Sequence, residues 1–207
     1  EVSATAIGSG ASLAPEAAVA RPGVLPANPT VSALADGSGP PYDYIAMRDW
    51  ALKYAKDTAV TYTRDTNDCT TFVSWALWKG GWAEKGSQSY PAVSWNHDYD
   101  VWYWRSNDGN PRHSYTWGGA YNWQLFAYSE SKRVRTLSYL SDLLVTDVMQ
   151  MDIDDYGRAK GPDHTMIVTG RNSSGQPLLS YHSKDTKNRS LSSILSEHDG
   201  PYWAFRT

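Results

Sequence analysis

Apolar positions recur with helical spacing near residues 42–55, where Met47, Trp50, Ala51, Tyr54 and Ala55 lie at i, i+3, i+4, i+7 and i+8. That spacing predicts an amphipathic helix. A second helical segment follows in Asn67-Asp68-Cys69-Thr70-Thr71-Phe72-Val73-Ser74-Trp75-Ala76-Leu77, with Phe72, Val73 and Ala76 at i+3, i+4 and i+7 from Cys69. Asn67 or Asp68 can cap it and Gly80-Gly81 can stop it, which gives about three turns. Residues 82–128 lose both periodicities; they are rich in Trp and Tyr, are broken by Gly, Pro and Asn, and are predicted to form short helices and aromatic loops. From Leu143 onward the pattern turns to β, with runs over Val145 to Met151, His164 to Thr169, Leu178 to Ser183 and Tyr202 to Arg206. Helices first and strands afterwards predict an α+β fold, its N-terminal helices packed on an antiparallel β-sheet.

Residues 1–40 stand apart from this patterning. Ala, Pro, Gly, Ser and Val dominate, charges are few and no aromatic residue occurs before Tyr42, so the segment is predicted to be a flexible linker or a pro-segment. Its apolar residues follow neither a helical nor a strand period, which favours a tether over an inhibitory segment. In the whole chain, 41% of residues are hydrophobic, including ten Trp and fourteen Tyr, enough for one well-packed domain. The formal charge of -3 and the lack of any Lys/Arg cluster argue against a nucleic-acid partner. No apolar stretch approaches the roughly 20 residues a membrane span needs.

Cys69 is the single cysteine and cannot belong to an internal disulfide. Its predicted place at a helix N-terminus, among unpaired backbone N–H groups, favours a thiolate. The alternative is a small buried hydrophobe with no chemistry. The strands supply a second feature, because Gly170-Arg171-Asn172-Ser173-Ser174-Gly175-Gln176-Pro177 is a strong turn signal between two β runs. A hairpin centred on Ser173 sets Val168 opposite Leu178, Met166 opposite Ser180 and His164 opposite His182. Both histidines then share one face, with Cβ atoms about 4.5–5.5 Å apart, unless a bulge shifts the register. A thiol, a histidine base and a polar orienter are the parts of a cysteine nucleophile.

Four segments in order, Asn67-Asp68-Cys69-Thr70-Thr71-Phe72-Val73-Ser74, Asp147-Val148-Met149-Gln150, Asp163-His164-Thr165-Met166-Ile167-Val168-Thr169-Gly170 and Tyr181 to Leu191, carry a resemblance to the bacterial putative amidase domain. That family is related to CHAP and NlpC-type cell-wall peptidases. The resemblance covers residues 41–207 and implies a papain-like core, with the nucleophile on a helix N-terminus and the histidine on the sheet. It implies Cys69 as nucleophile, His164 as general base and His182 as the third, orienting residue, with Asp185 a weaker candidate for that position. The backbone N–H of Cys69 is expected to serve as one oxyanion donor, and Asn67 or Tyr62 as a possible second. Capping and packing explain Tyr62 and Asn67 equally well.

The expected activity is amide hydrolysis through a thioester, without metal or cofactor, by a monomer that is secreted or bound to the cell wall and acts on peptidoglycan or another peptide amide. A transglutaminase or protein deamidase would use the same thiol chemistry, and a non-catalytic wall-binding module would use only the aromatic rings. Trp95, Trp102, Trp104, Trp117 and Trp123 are candidates to stack on substrate, although most of the ten Trp are expected in the core. Asp152-Ile153-Asp154-Asp155-Tyr156-Gly157 with Asp163 partly fits a calcium loop. Tyr and Lys at ligand positions, and a final acid that is not Glu, favour an acidic hairpin instead.

Overall fold

Asp43 starts the first helix, its carboxylate accepting a 2.8 Å hydrogen bond from the Ala46 N–H, as a short polar side chain does at an N-cap. The computed structural model describes residues 42–57, 60, 62, 66–86, 99–107, 110–153 and 161–207. The predicted segment 1–40 and the candidate Trp95 lie outside the described residues. The first helix, α1, spans Tyr44–Tyr54 and buries Met47 and Ala51. The second, α2, spans Cys69–Lys79, and every residue from Cys69 to Leu77 is buried. It is thus embedded all round and not amphipathic, and its polar Thr70, Thr71 and Ser74 must find partners inside. Gly80 ends α2 where α1 passes closest: a Cβ there would lie 2.1 Å from Met47 Cγ, so only glycine fits.

The sheet has six strands in the order β3-β8-β4-β5-β6-β7, all antiparallel. Its members are β3 (Arg135–Thr136), β4 (Val148–Met151), β5 (His164–Arg171), β6 (Pro177–Tyr181), β7 (Thr186–Ser190) and β8 (Tyr202–Arg206). Helices segregated from an antiparallel sheet, with the two long ones packed on one of its faces, make an α+β protein. Val148, Ile167, Trp203 and Phe205 face the helices. Met149, Met151, Met166, Val168, Leu179 and Tyr181 face the opposite way, onto Leu191 and Ile194 of the short helix α5 (Leu191–Leu195). Burial of both faces explains why β4 and the middle of β5, Met166 to Val168, show no apolar–polar alternation. The edge strand β7 was hidden in the sequence because all five residues are polar, a common way to blunt a sheet edge.

The hairpin register differs from the predicted one. Asn172 Oδ1 accepts from the N–H groups of Ser174 and Gln176, and Arg171 pairs with Pro177, so the turn centres on Ser174 instead of Ser173. A bulge between Val168 and Gly170 then takes back one residue, and below it Val168 pairs with Leu179 and Ile167 with Ser180. Continued past Tyr181, this register sets His182 across from Thr165. His164 and His182 therefore lie on opposite faces of the sheet.

The aromatic middle of the chain folds into a hairpin, β1 (Trp104–Asn107) with β2 (Asn110–His113), two short helices, α3 (Tyr115–Gly118) and α4 (Ala120–Gln124), and a π-helical turn, Leu125–Glu130. Trp102, Trp117 and Trp123 are fully buried, which removes them as substrate platforms. Trp102 and Trp117 stack with centroids 4.3 Å apart, and Ser74 of α2 ties both together by accepting from Trp102 Nε1 and donating to the Trp117 carbonyl. Trp104 is half-buried and stacked on His113.

Candidate active site

Cys69 is the first residue of α2, and the start of that helix is fastened to the start of β5 by a buried polar chain. Thr70 Oγ1 lies 2.9 Å from Thr165 Oγ1, and Gln150 Nε2 donates to Thr165 Oγ1 at 3.0 Å and to the Ala120 carbonyl at 2.8 Å. Such a chain fixes two elements in one register, because each member is costly to leave unpaired in the interior. It also sets Cys69 beside His164, the residue before Thr165. The thiol can donate weakly to the Asp163 carbonyl, 3.9 Å from Sγ, and Thr70 Oγ1 lies 3.7 Å away.

Cys69 and His164, only 4% and 6% exposed, both line a cavity of about 190 Å³ at this end of the sheet. Asn67 and Asp163 adjoin them, while Met151, Ile153, Met166, Tyr181 and Ile194 give apolar walls. Ser183, Lys184, Arg189 and His198 complete the lining. No hydrogen bond joins Sγ to the His164 ring among the described residues. The ring instead stands edge-on to Tyr181, centroids 5.0 Å apart.

Burial decides the protonation of both groups. It pushes the Cys69 thiol up, against backbone and side-chain hydrogen bonds from Thr165 and Thr70, and the nearby Asp68 carboxylate adds to the rise. The predicted resting thiolate is thus corrected: loss of water around the sulfur outweighs the favourable helix terminus. Burial likewise lowers His164 to about 4; Asp163 opposes this, and His198 and Lys184 reinforce it. At neutral pH the resting pair is a thiol beside an uncharged imidazole.

His182 does not meet His164. It is wholly buried on the helix side of the sheet, stacked on Phe72 with centroids 4.3 Å apart. Its Nδ1 lies 2.8 Å from Asp68 Oδ2, and its Nε2–H donates to the Tyr54 carbonyl at 2.9 Å. Tyr62, the possible oxyanion donor, spends its hydroxyl here as well, donating to Asp68 Oδ2 at 3.1 Å and lying 3.3 Å from Nδ1. Asp68 holds the N-cap position of α2 but makes no side-chain cap, because its carboxylate faces His182. Of the other candidates, Asn67 is exposed and lines the cavity. Asp185 sits in the β6–β7 turn with φ of 28° and is not part of the lining. Part of the acidic hairpin, residues 154–160, lies outside the described residues. Among the described residues no group of three or more His, Cys, Asp or Glu is placed to hold a metal.

Sequence reasoning missed Tyr181, Lys184, Arg189 and His198 as lining residues. They come from strand β6, a turn, an edge strand and the stretch after α5, and no shared spacing links them. Only the nearness of Lys184 and Arg189 to the second histidine hinted at a common place.

Fold and site together define an α+β protein with a cysteine and a histidine converging on one half-apolar cavity. Residues 41–204 match the model of the putative amidase domain, and the chain belongs to that family. The family's description points to a hydrolase of amide bonds. The chain is also 24% identical over 150 residues to an uncharacterized protein, YhbB, of Bacillus subtilis (strain 168). The match covers 72% of this chain and 43% of that protein, less than half its length. No solved structure matches the chain.

Proposed function

We propose that this chain is a cysteine-dependent amidohydrolase with a papain-like core, related to CHAP and NlpC-type peptidases. It would act outside the cell or at the cell wall on amide bonds of bacterial peptidoglycan. The observation that carries the proposal is the convergence of Cys69 and His164, from two different elements, on one cavity. The family match supports amide hydrolysis, and the wall substrate is carried over from the peptidases to which that family is related.

In the proposed reaction His164, uncharged at rest, takes the proton from Sγ as the sulfur attacks the amide carbonyl. The N–H of Cys69, in the first turn of α2 and without an intrahelical acceptor, faces the developing oxyanion. The imidazolium returns its proton to the departing nitrogen, the C–N bond breaks and a thioester remains. Water, deprotonated by His164, then attacks the thioester carbonyl; the C–S bond breaks, the acid leaves and the thiol is restored.

A base works only while unprotonated, and the lowered His164 keeps its competent form to more acidic pH than an ordinary histidine. The acid limb of kcat/KM is therefore expected near pH 4, where His164 titrates, and not at 6.5, the ordinary histidine value. A half-maximal rate near pH 6.5 would show that His164 is solvated or is not the base. The substrate is tested by incubating the protein with purified peptidoglycan and weighing the released fragments. Fragments with new amine and carboxyl ends, one water heavier per cut, are expected; cuts confined to the glycan, or none, would reject the wall substrate.

A further inference from the structure

Among the described residues, the charged side chains lining the cavity are Lys184 and Arg189 against one carboxylate, that of Asp163, with the His198 imidazole beside them; Asp163 Oδ1 accepts from the Ile153 N–H. The basic groups come from elements other than those carrying Cys69 and His164. Lys184 is in the β6–β7 turn, Arg189 is on β7 and His198 follows α5. Their field reaches the reacting pair, because Lys184 and His198 both disfavour charging of His164.

Arg189 is held in place. Its Nε donates to Ser193 Oγ at 3.2 Å, Nη1 to the Tyr181 hydroxyl at 3.1 Å, and Nη2 to the Ser193 carbonyl at 3.4 Å and to Glu197. Glu197 offsets part of the Arg189 charge, but it is not among the lining residues. The Tyr181 ring that receives Arg189 is the same ring that packs against His164. The His198 carbonyl accepts from the Tyr202 hydroxyl, which anchors the third group.

We infer that the cavity takes an acidic peptide amide, with a free carboxylate beside the bond to be cut seated against Lys184 and Arg189 and an aliphatic stem over Met151, Met166 and Ile194. This rests on Cys69 being the reacting group. Complementary charge in a half-buried cleft raises both encounter rate and selectivity for the ligand of opposite sign.

Two reagents of nearly equal shape test it on the whole protein without knowledge of the natural substrate. Iodoacetate carries a carboxylate, iodoacetamide the neutral amide, and both alkylate the single thiol, which mass analysis reads directly. Relative to glutathione under the same conditions, the iodoacetate to iodoacetamide rate ratio at Cys69 is expected to be at least fivefold higher. Lys184→Gln should bring it to within about twofold of glutathione, and Lys184→Glu should reverse the preference. Alkylation by both reagents at the glutathione ratio, or a raised ratio unchanged by both Lys184 variants, would overturn the acidic substrate while leaving the thiol site standing. Failure of both reagents to reach Cys69 would remove the reacting group itself, and the hydrolase reading with it.

Discussion

Cys69→Ala is expected to abolish hydrolysis, with kcat/KM lower by about 10⁴-fold or more, in protein that still folds. The proposed reaction has one nucleophile, and the sequence holds no second cysteine to replace it. The change removes one sulfur from a cavity wall, which costs about 1 kcal/mol of stability, well within what a domain tolerates. His164→Ala should fall by a similar factor, and the double variant should be little worse than either single one. Nucleophile and base act as one unit, and removing either disables the same step. Rates measured beside circular dichroism and thermal melting separate chemistry from folding. Hydrolysis that persists in folded Cys69→Ala protein would end the thiol mechanism.

His182→Ala is expected to show its largest effect on stability, a loss of about 3–5 kcal/mol, as when a hydrogen-bonding partner of a buried carboxylate is removed. Asp68 is 1% exposed and faces the imidazole at 2.8 Å, so the variant takes a close hydrogen-bonding partner from a buried carboxylate that Tyr62 also contacts. The stacking on Phe72 and the bond to the Tyr54 carbonyl go with it. A residue that merely oriented a catalytic base would lower kcat and leave the unfolding midpoint near its original value. Denaturant titration of the wild type, of His182→Ala and Asp68→Ala, and of the double variant measures the difference. The double variant should lose clearly less than the two single losses added together, because residues in direct contact share one interaction that either single change already removes. A His182→Ala loss below about 1 kcal/mol, with kcat sharply reduced, would return His182 to the orienting role.

The parts of the fold legible in the sequence are those where one physical signal dominates. Met47, Trp50, Ala51 and Tyr54 repeat at helical spacing, and α1 lies there. Cys69 begins α2 and Gly80 ends it, as expected, and Tyr202–Arg206 is β8 as read. The resemblance names Cys69 and His164 together, and both line one cavity. What escaped depends on several weak terms at once. The position of the turn was wrong by one residue because Asn172 closes it with its side chain, and the bulge before Gly170 leaves no mark that a period-two pattern can reveal. The two histidines were therefore assigned to one face when they occupy two. Burial of Trp102, Trp117 and Trp123 is likewise a tertiary outcome, since a ring that can stack on a sugar can as readily stack on another ring. The thiol was misjudged because the helix terminus is visible in a sequence whereas the loss of water is not.

The bulge on β5 also makes the hairpin unequal in its tolerance of changes in length. At the tip, Asn172 to Gln176 form a polar loop whose closure is local, and an added residue there can loop outward without disturbing the ladder below. At Thr169 the same single-residue change would alter the pairing of everything toward the open end. His182 would turn from its scaffold beneath α2 toward the face that carries His164, exchanging places with side chains that now line the second core. One residue of length at that point thus separates the face that carries His164 from the face that holds α1 and α2, and homologues are expected to vary in length at the tip and to keep their length at the bulge.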